Sequence, residues 1–375
     1  MTFSGSLYIK LYAPAKQSLR RLDRLFHLLL GYLFFFFGFF YRIRFDKVRQ
    51  GLKRRVINEL PKPKGLKYEI ISESDEEVWS RCLRTNVETG FWPLSFSVPN
   101  SISLSILLGK EGLLCPSVPG DKYQFYNELD YLRNYGNYYF AVTHKKGGWD
   151  CLRHLEIFAA GSIPLMLDAK RIPSNTMVHY PKAQMAAIVS HFMASPDLPS
   201  NELLESVRNH YERHLTQSQM ANYLCRVIGA DRTARFLFVD RSLKDNPDYL
   251  SIFTLMGLKQ ILGDNLHVAF EPMYLYDDWK GPVTDLYGRG FSYAKKLSKT
   301  KRKQIGWNFL KSSFEDLPYD FIIIGNLQRN TDFVSQLGMV KREKLILIDG
   351  EDRADIRLCT EMQRRSRFIF VRELH

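Results

Sequence analysis

Five cysteines are spread through 375 residues, at positions 82, 115, 151, 225 and 359, and no two stand in a CxxC or Cys/His ligand spacing. That absence excludes a zinc ribbon and a disulfide-stapled scaffold, and an odd number of free thiols fits a reducing compartment. No GxGxxG follows a strand-like run. Gly288-Arg289-Gly290 lacks the third glycine and the downstream ribose acid, which removes the dinucleotide fingerprint. No RNA- or DNA-binding motif occurs, and Asp277-Asp278 stands without the surroundings of a metal-binding DxD. His210 and His214 are four apart, but no HExxH and no third ligand accompany them, so they read as surface or packing histidines.

Acid is scarce at one end only. Residues 1–64 hold 14 Lys/Arg against Asp23, Asp46 and Glu59, a net of +11, which leaves +2 of the overall +13 for the remaining chain. The excess is therefore not a nucleic-acid face on the folded body. It flanks residues 25–41, LFHLLLGYLFFFFGFFY, which carry no formal charge. As a helix they would span about 25 Å, the short end for a bilayer crossing. A short transmembrane helix, an in-plane or re-entrant anchor, a signal peptide and a buried core helix all fit that length. No small-residue cleavage site follows, only Arg42-Ile43-Arg44, which disfavours the signal peptide. Aromatics bracketed by Lys/Arg favour a membrane interface. The expectation is attachment to anionic membranes, with the body on the cytoplasmic side; positive charge on both flanks leaves orientation open.

The chain turns on residues 138–170, YYFAVTHKKGGWDCLRHLEIFAAGSIPLMLDAK. Residues 139–143 read as a strand. His144-Lys145-Lys146-Gly147-Gly148 is a basic glycine turn, able to bend tightly and to approach a ligand by its backbone. Asp150 is placed to cap a helix running to about Ala160, with Leu152, Leu155, Phe158 and Ala159 on its buried face. Gly161 is a C-terminal stop, and residues 163–167 are the next strand. A basic turn before a helix N-terminus suits phosphate. Arg153 lies in the first turn and shares a face with Glu156, where an acid could accept hydrogen bonds from sugar hydroxyls. An ordinary β-α-β crossover with a solvated turn fits the same spacing.

Around that unit the pattern divides into residues 1–64, a basic anchoring segment and tether, 65–229, and 230–375. Ser74-Asp75-Glu76-Glu77 is a capping box opening a helix to about Arg84. Strands are expected at 67–71 and 91–98, and helices at 123–135, 182–193 and 201–228. After Gly229 the pattern restarts, with strands at 235–239, 267–276, 320–324, 345–348 and 368–371 and helical windows between, 249–262 among them. Such alternation argues an α/β domain with a mainly parallel sheet. Ligands gather at the carboxyl ends of such strands, which puts Gly325-Asn326 and Asp349-Gly350-Glu351-Asp352 near a crevice.

KKGGWDCLRHLEIFAAGSIP resembles the donor-site segment of two-lobed GT-B-type glycosyltransferases, especially an exostosin-like microbial and viral group. LYGRGFSYAKKL, YDFIIIGN, LILIDGEDR and FIFVREL resemble the acceptor-side lobe of that group. There PLSFSVP follows the last of these; here it precedes the donor motif, so the lobes look circularly permuted, or two half-modules joined. The resemblance implies a fold of two Rossmann-like lobes behind an N-terminal membrane-associated helix, with 65–229 the donor lobe and 230–375 the acceptor lobe. It implies that Glu156 holds the nucleotide ribose, with Gly161 and Pro164 closing the motif. Lys145, Lys146, Gly148 and Arg153 face the diphosphate; Trp149, Asp150 and His154 lie beside it; Asn175 and Thr176 are contacts from the segment after the second strand. The permuted order leaves Arg372 and Glu373, at the chain's end, without a firm assignment.

The activity implied is sugar transfer from a UDP- or GDP-linked donor to a glycan or glycolipid acceptor, with no further cofactor and no metal. Lys145, Lys146, Arg153 and the helix N-terminus would stabilise the leaving diphosphate. Asp349, Glu351 and Asp352 are the candidate bases for the acceptor hydroxyl; as turn-forming acids that cap the next helix they fit equally. The rival reading is a catalytically silent, lectin-like or scaffold subunit of a glycan-assembly complex.

Overall fold

Four strands of the second half are apolar runs, FLFV, FIII, LILID and FIFV, broken only by the terminal Asp349, and apart from Phe321 every residue in them is buried. Runs of that kind have no solvent face, which is the signature of a parallel sheet covered on both sides. The computed structural model describes residues 68–375 apart from 103–108, 120–124, 304, 306–316 and 338–339. Residues 25–41 lie outside the described residues, and with them the membrane expectation. Among the described residues no helix is long and apolar enough to cross a membrane. Residues 63–375 form one unit.

The elements run α1 (Asp75–Thr89), β1 (Trp92–Pro93), β2 (Gly112–Leu114), α2 (Glu128–Gly136), β3 (Tyr138–Thr143), α3 (Leu152–Ala159), β4 (Ile163–Met166), α4 (Lys182–Ala194), α5 (Asn201–His214) and α6 (Gln217–Ile228). They continue β5 (Phe236–Val239), α7 (Tyr249–Leu262), β6 (Leu266–Val268), β7 (Phe321–Ile324), α8 (Thr331–Gln336), β8 (Leu345–Asp349), α9 (Ile356–Met362) and β9 (Phe368–Val371). They make two wholly parallel, Rossmann-like sheets, one of six strands in the order β1-β9-β8-β7-β5-β6 and one of three in the order β2-β3-β4. The fold class is α/β, as the alternation implied.

The central reading holds in its elements. β3, α3 and β4 follow one another as expected, and Gly161 adopts a left-handed φ of 77° after α3. At α1 the capping box is formed in both directions: the Ser74 hydroxyl accepts the Glu77 N–H and the Glu77 carboxylate accepts the Ser74 N–H. The helix then runs on past Arg84 to Thr89, ending at left-handed Gly90.

Four expectations need correction. Residues 68–71 form no strand. Of residues 91–98 only Trp92–Pro93 pairs in a sheet, on the edge beside β9, where a proline costs no ladder bond on its open side. The long helix expected over 201–228 is two, because at Thr216 the chain bridges to Val98 and the Gln217 N–H is spent on the Val98 carbonyl. The strand expected over 267–276 is Leu266–Val268 followed by a single turn at Met273–Leu275.

A hydrophobic core lies in the six-stranded half, where Leu237, Val239, Ile322, Ile324, Leu345, Leu347, Ile369 and Val371 pack with Phe91, Leu317 and Leu374. Burying such side chains contributes about 1.5–3 kcal/mol each. Because β1 comes from residues 92–93 and β9 from 368–371, this sheet draws on both stretches of the chain, and the two sheets meet along a seam crossed by polar side chains.

Candidate active site at the seam between the two sheets

The glycine turn is positioned by β3 on one side and α3 on the other. Thr143 ends β3, and its hydroxyl meets His154 Nδ1 at 2.8 Å; the other ring nitrogen, Nε2, meets the Trp149 carbonyl at 3.0 Å. A carbonyl only accepts, so Nε2 carries the proton and the ring is neutral. Burial pushes His154 down to about 4. His154 therefore ties the turn to the sheet and has no nitrogen left for a ligand.

Asp150 does not cap α3. Cys151 occupies the N-cap position without a side-chain cap bond, and the Asp150 carboxylate accepts the Phe96 N–H at 2.6 Å instead. The reason is topological: the segment after β1 runs beside the turn and needs its N–H satisfied. Burial raises Asp150 to about 7, against the pull of Arg372.

Glu156 lies one turn into α3, 5% exposed. Its carboxylate accepts two hydroxyls, Tyr131 from α2 at 2.7 Å and Ser292 from the six-stranded half at 2.8 Å. Burial raises its pKa, although both hydroxyl bonds oppose the shift. Among the described residues no Lys or Arg nitrogen is ion-paired with it. Arg153 is half-buried beside it, and its Nη1 is buried without a hydrogen-bond partner among the described residues. Lys145 rests over the Trp149 ring at 4.8 Å, and Lys146 is exposed. Seven of the eleven expected donor-site residues (Lys145, Lys146, Gly148, Trp149, Asp150, Arg153 and Glu156) thus line one turn and the first helical turns behind it. Gly161 and Pro164 shape the far end, where the Gly161 carbonyl is held by Lys110 at 2.7 Å. Asn175 stands half-exposed beside Ser174. Thr176 is buried and donates to the Leu374 carbonyl at 2.6 Å, so it fastens the tail.

The three candidate bases separate. Asp349, wholly buried at the end of β8, accepts from Gln328 Nε2 at 2.9 and 3.1 Å and from the Asp355 N–H at 2.9 Å, and it organises its own loop. Glu351 accepts from Asn326 Nδ2 at 3.0 Å and Arg329 Nε at 2.7 Å. Asp352 alone reaches the glycine turn. Its carboxylate takes Arg372 Nη2 at 2.6 Å and lies where a side chain on Gly147 would be.

Sequence reasoning gave no firm assignment to the residues that close the seam. Arg372 is buried; its guanidinium donates to the carbonyls of Gly350 at 2.8 Å and Asp150 at 2.6 Å and stacks over Phe96 at 4.3 Å. Glu373 Oε1 accepts the Asp150 N–H at 2.8 Å, and a methyl group on Gly148 would overlap this carboxylate. Glu128 on α2 binds Lys296 and the Ser292 N–H. The available signal was position: Arg372 and Glu373 follow directly on an apolar parallel strand, at its carboxyl end.

One surface cavity of about 220 Å³ is lined by Glu73, Glu202, Glu205, Asn209, His210 and Arg213, and another of about 460 Å³ by Asn86, Trp92, Arg226 and Arg367; the motif lies in neither. Among the described residues no group of His, Cys, Asp and Glu could hold a metal ion. His210 and His214 pack ring to ring at 4.7 Å. No family model, curated protein or solved structure matches this chain.

Proposed function

We propose that the protein is a membrane-associated glycosyltransferase with a GT-B-like pair of lobes in permuted order, moving a sugar from a UDP- or GDP-linked donor to a glycan or glycolipid. The observation that carries this reading is Glu156: a buried carboxylate, one helical turn behind a basic glycine turn, already holding two hydroxyl groups and, among the described residues, no ion-paired cation. Two hydroxyls on one carboxylate is the arrangement a ribose diol requires. Arg153 supports it with a buried guanidinium nitrogen free to take a phosphate oxygen.

In this reading the ribose hydroxyls bind Glu156, and Arg153, Lys145, Lys146 and the N–H groups of the turn bind the diphosphate. Those cations stabilise charge as it develops on the leaving group. Asp352 is the candidate base, because it is the one of the three acids that faces the turn. It would take the proton of the acceptor hydroxyl as that oxygen attacks the anomeric carbon and the bond to the diphosphate breaks.

One observation favours the silent-subunit reading: the carboxylates of Asp352 and Glu373 crowd the turn where phosphate is expected. A thermal-shift panel of nucleotide sugars, UDP and GDP separates the two. Stabilisation that disappears in Arg153→Ala and Glu156→Ala supports the transferase. The absence of stabilisation by every nucleotide supports the silent subunit.

A further inference from the structure

The groups that crowd the seam match, piece by piece, what the turn and helix α3 are built to hold. Glu373 places an anionic oxygen on the Asp150 N–H, just ahead of the N-terminus of α3, where backbone N–H groups and the helix dipole favour negative charge. Its side chain is 0% exposed, and Oε2 is buried with no hydrogen-bond partner among the described residues. Its other neighbours are Arg372, whose Nη1 lies 3.4 Å from Oε1, and His375, whose Nε2 lies 3.8 Å from Oε2, beyond hydrogen-bond reach. One helical turn further in, the Ser292 hydroxyl sits on Glu156. Ser292 is wholly buried and has a φ of 70°, in the left-handed region that a residue with a Cβ avoids; Arg289 at 57° and Lys295 at 58° flank it in the same condition. Three such residues in one segment cost about 1–3 kcal/mol each, and the surrounding contacts must hold them. Across the seam those contacts are Glu156 with the Ser292 hydroxyl and Glu128 with the Ser292 N–H and Lys296; within its own half the Lys295 N–H on the Tyr274 carbonyl and the Tyr293 hydroxyl on the Tyr287 carbonyl hold it as well.

We infer that the six-stranded half carries an intramolecular stand-in for a nucleoside diphosphate, with the Glu373 carboxylate in the place of a phosphate and the Ser292 hydroxyl in the place of a ribose hydroxyl. The inference rests on the nucleotide-sugar reading of Glu156 and adds to it that the site is self-occupied at rest. A nucleotide gains the site by displacing both groups. Release of segment 287–296 returns its three left-handed residues to freer conformations, and Glu373 recovers solvent for Oε2. Gly148 allows the arrangement, since any side chain there would exclude the carboxylate. Nucleotide binding and opening of the seam are then one event, and the two lobes part as donor enters.

The test uses the full chain in detergent, with UDP, GDP and inorganic pyrophosphate as probes in calorimetry. Glu373→Gln keeps an acceptor for the Asp150 N–H but removes the charge. It should tighten UDP or GDP and pyrophosphate alike, by about tenfold. Ser292→Ala should tighten UDP or GDP by about fivefold and leave pyrophosphate unchanged, because pyrophosphate has no ribose. Hydrogen exchange on the unaltered chain is a second measurement that needs no variant. Nucleotide should speed exchange in residues 287–296 and 372–375. If the unaltered chain binds nucleotide but both variants bind no more tightly, or exchange in those segments stays the same or slows, the self-occupied site is overturned and the nucleotide reading stands. If neither the unaltered chain nor either variant binds any nucleotide, the nucleotide reading falls and takes the inference with it.

Discussion

Two buried glutamates, one serving each sheet, are compensated in opposite ways. Glu271, in the six-stranded half, meets the Lys259 ammonium at 2.8 Å, with both side chains all but removed from solvent; the Tyr276 hydroxyl and the Lys303 N–H complete its shell. Glu156, in the three-stranded half, also takes a tyrosine hydroxyl, but its second partner is a serine hydroxyl rather than a cation. A carboxylate locked to an ammonium is a fixed part of the scaffold. A carboxylate satisfied by hydroxyls can exchange them for a sugar's hydroxyls at little net cost. On the proposed function, the difference in partner separates the acid that holds the fold from the acid that would hold a ligand.

Glu271→Gln breaks the comparison most severely. It strands the Lys259 ammonium in the interior, and chemical denaturation should show a loss of about 3–5 kcal/mol. Glu156→Gln should do the reverse. Unfolding free energy should change by less than about 1 kcal/mol, while nucleotide affinity falls by about 1.5–3 kcal/mol through loss of hydrogen bonds to a charged acceptor. A large stability loss at position 156 with nucleotide affinity intact would reverse the two roles.

The two sites should also differ in pH response. Burial holds the folded pKa of Glu156 above 4.5. The unfolded chain then loses that proton first as pH rises, so this group subtracts stability above pH 4.5. Glu156→Gln removes the penalty, and urea titrations at pH 4 and 7 should show the variant gaining on the unaltered chain at the higher pH. His154 acts with the opposite sign: held down to about 4, it stays neutral while the unfolded imidazole charges, so its stabilising contribution is lost as pH falls from about 6.5 towards 4. The smallest effect belongs to Lys259→Met with Glu271→Leu. Replacing the whole buried pair with apolar side chains removes the stranded charge and should recover part of the single-variant loss, the remainder being the Tyr276 hydroxyl and the Lys303 N–H left without their acceptor.

The sequence announced elements better than partners. The β3–α3–β4 unit, the capping box at Ser74 and the buried strands of the second half were legible because each is written locally, in spacing or in an apolar run. The break at Thr216 was not, since its cause is Val98, more than a hundred residues away. Asp150 has the residue type of a helix cap, yet a neighbouring segment claimed its carboxylate. The clustering of Lys145, Arg153 and Glu156 follows from one turn and one helix and could be read ahead. The arrival of Ser292, Asp352 and Glu373 at that cluster depends on how two sheets dock, which no local pattern encodes.

The pairing of β1 with β9 has a consequence for the order of assembly. Trp92 and Pro93 leave the ribosome 278 residues before Phe370 and Val371, their neighbours in the ladder. Until β9 has been made, the segment that follows α1 has no strand to lie against. The same late residues deliver Arg372 to Phe96 and the Leu374 carbonyl to Thr176. The outer strand and the seam therefore form together, and only once residues 368–374 have been made.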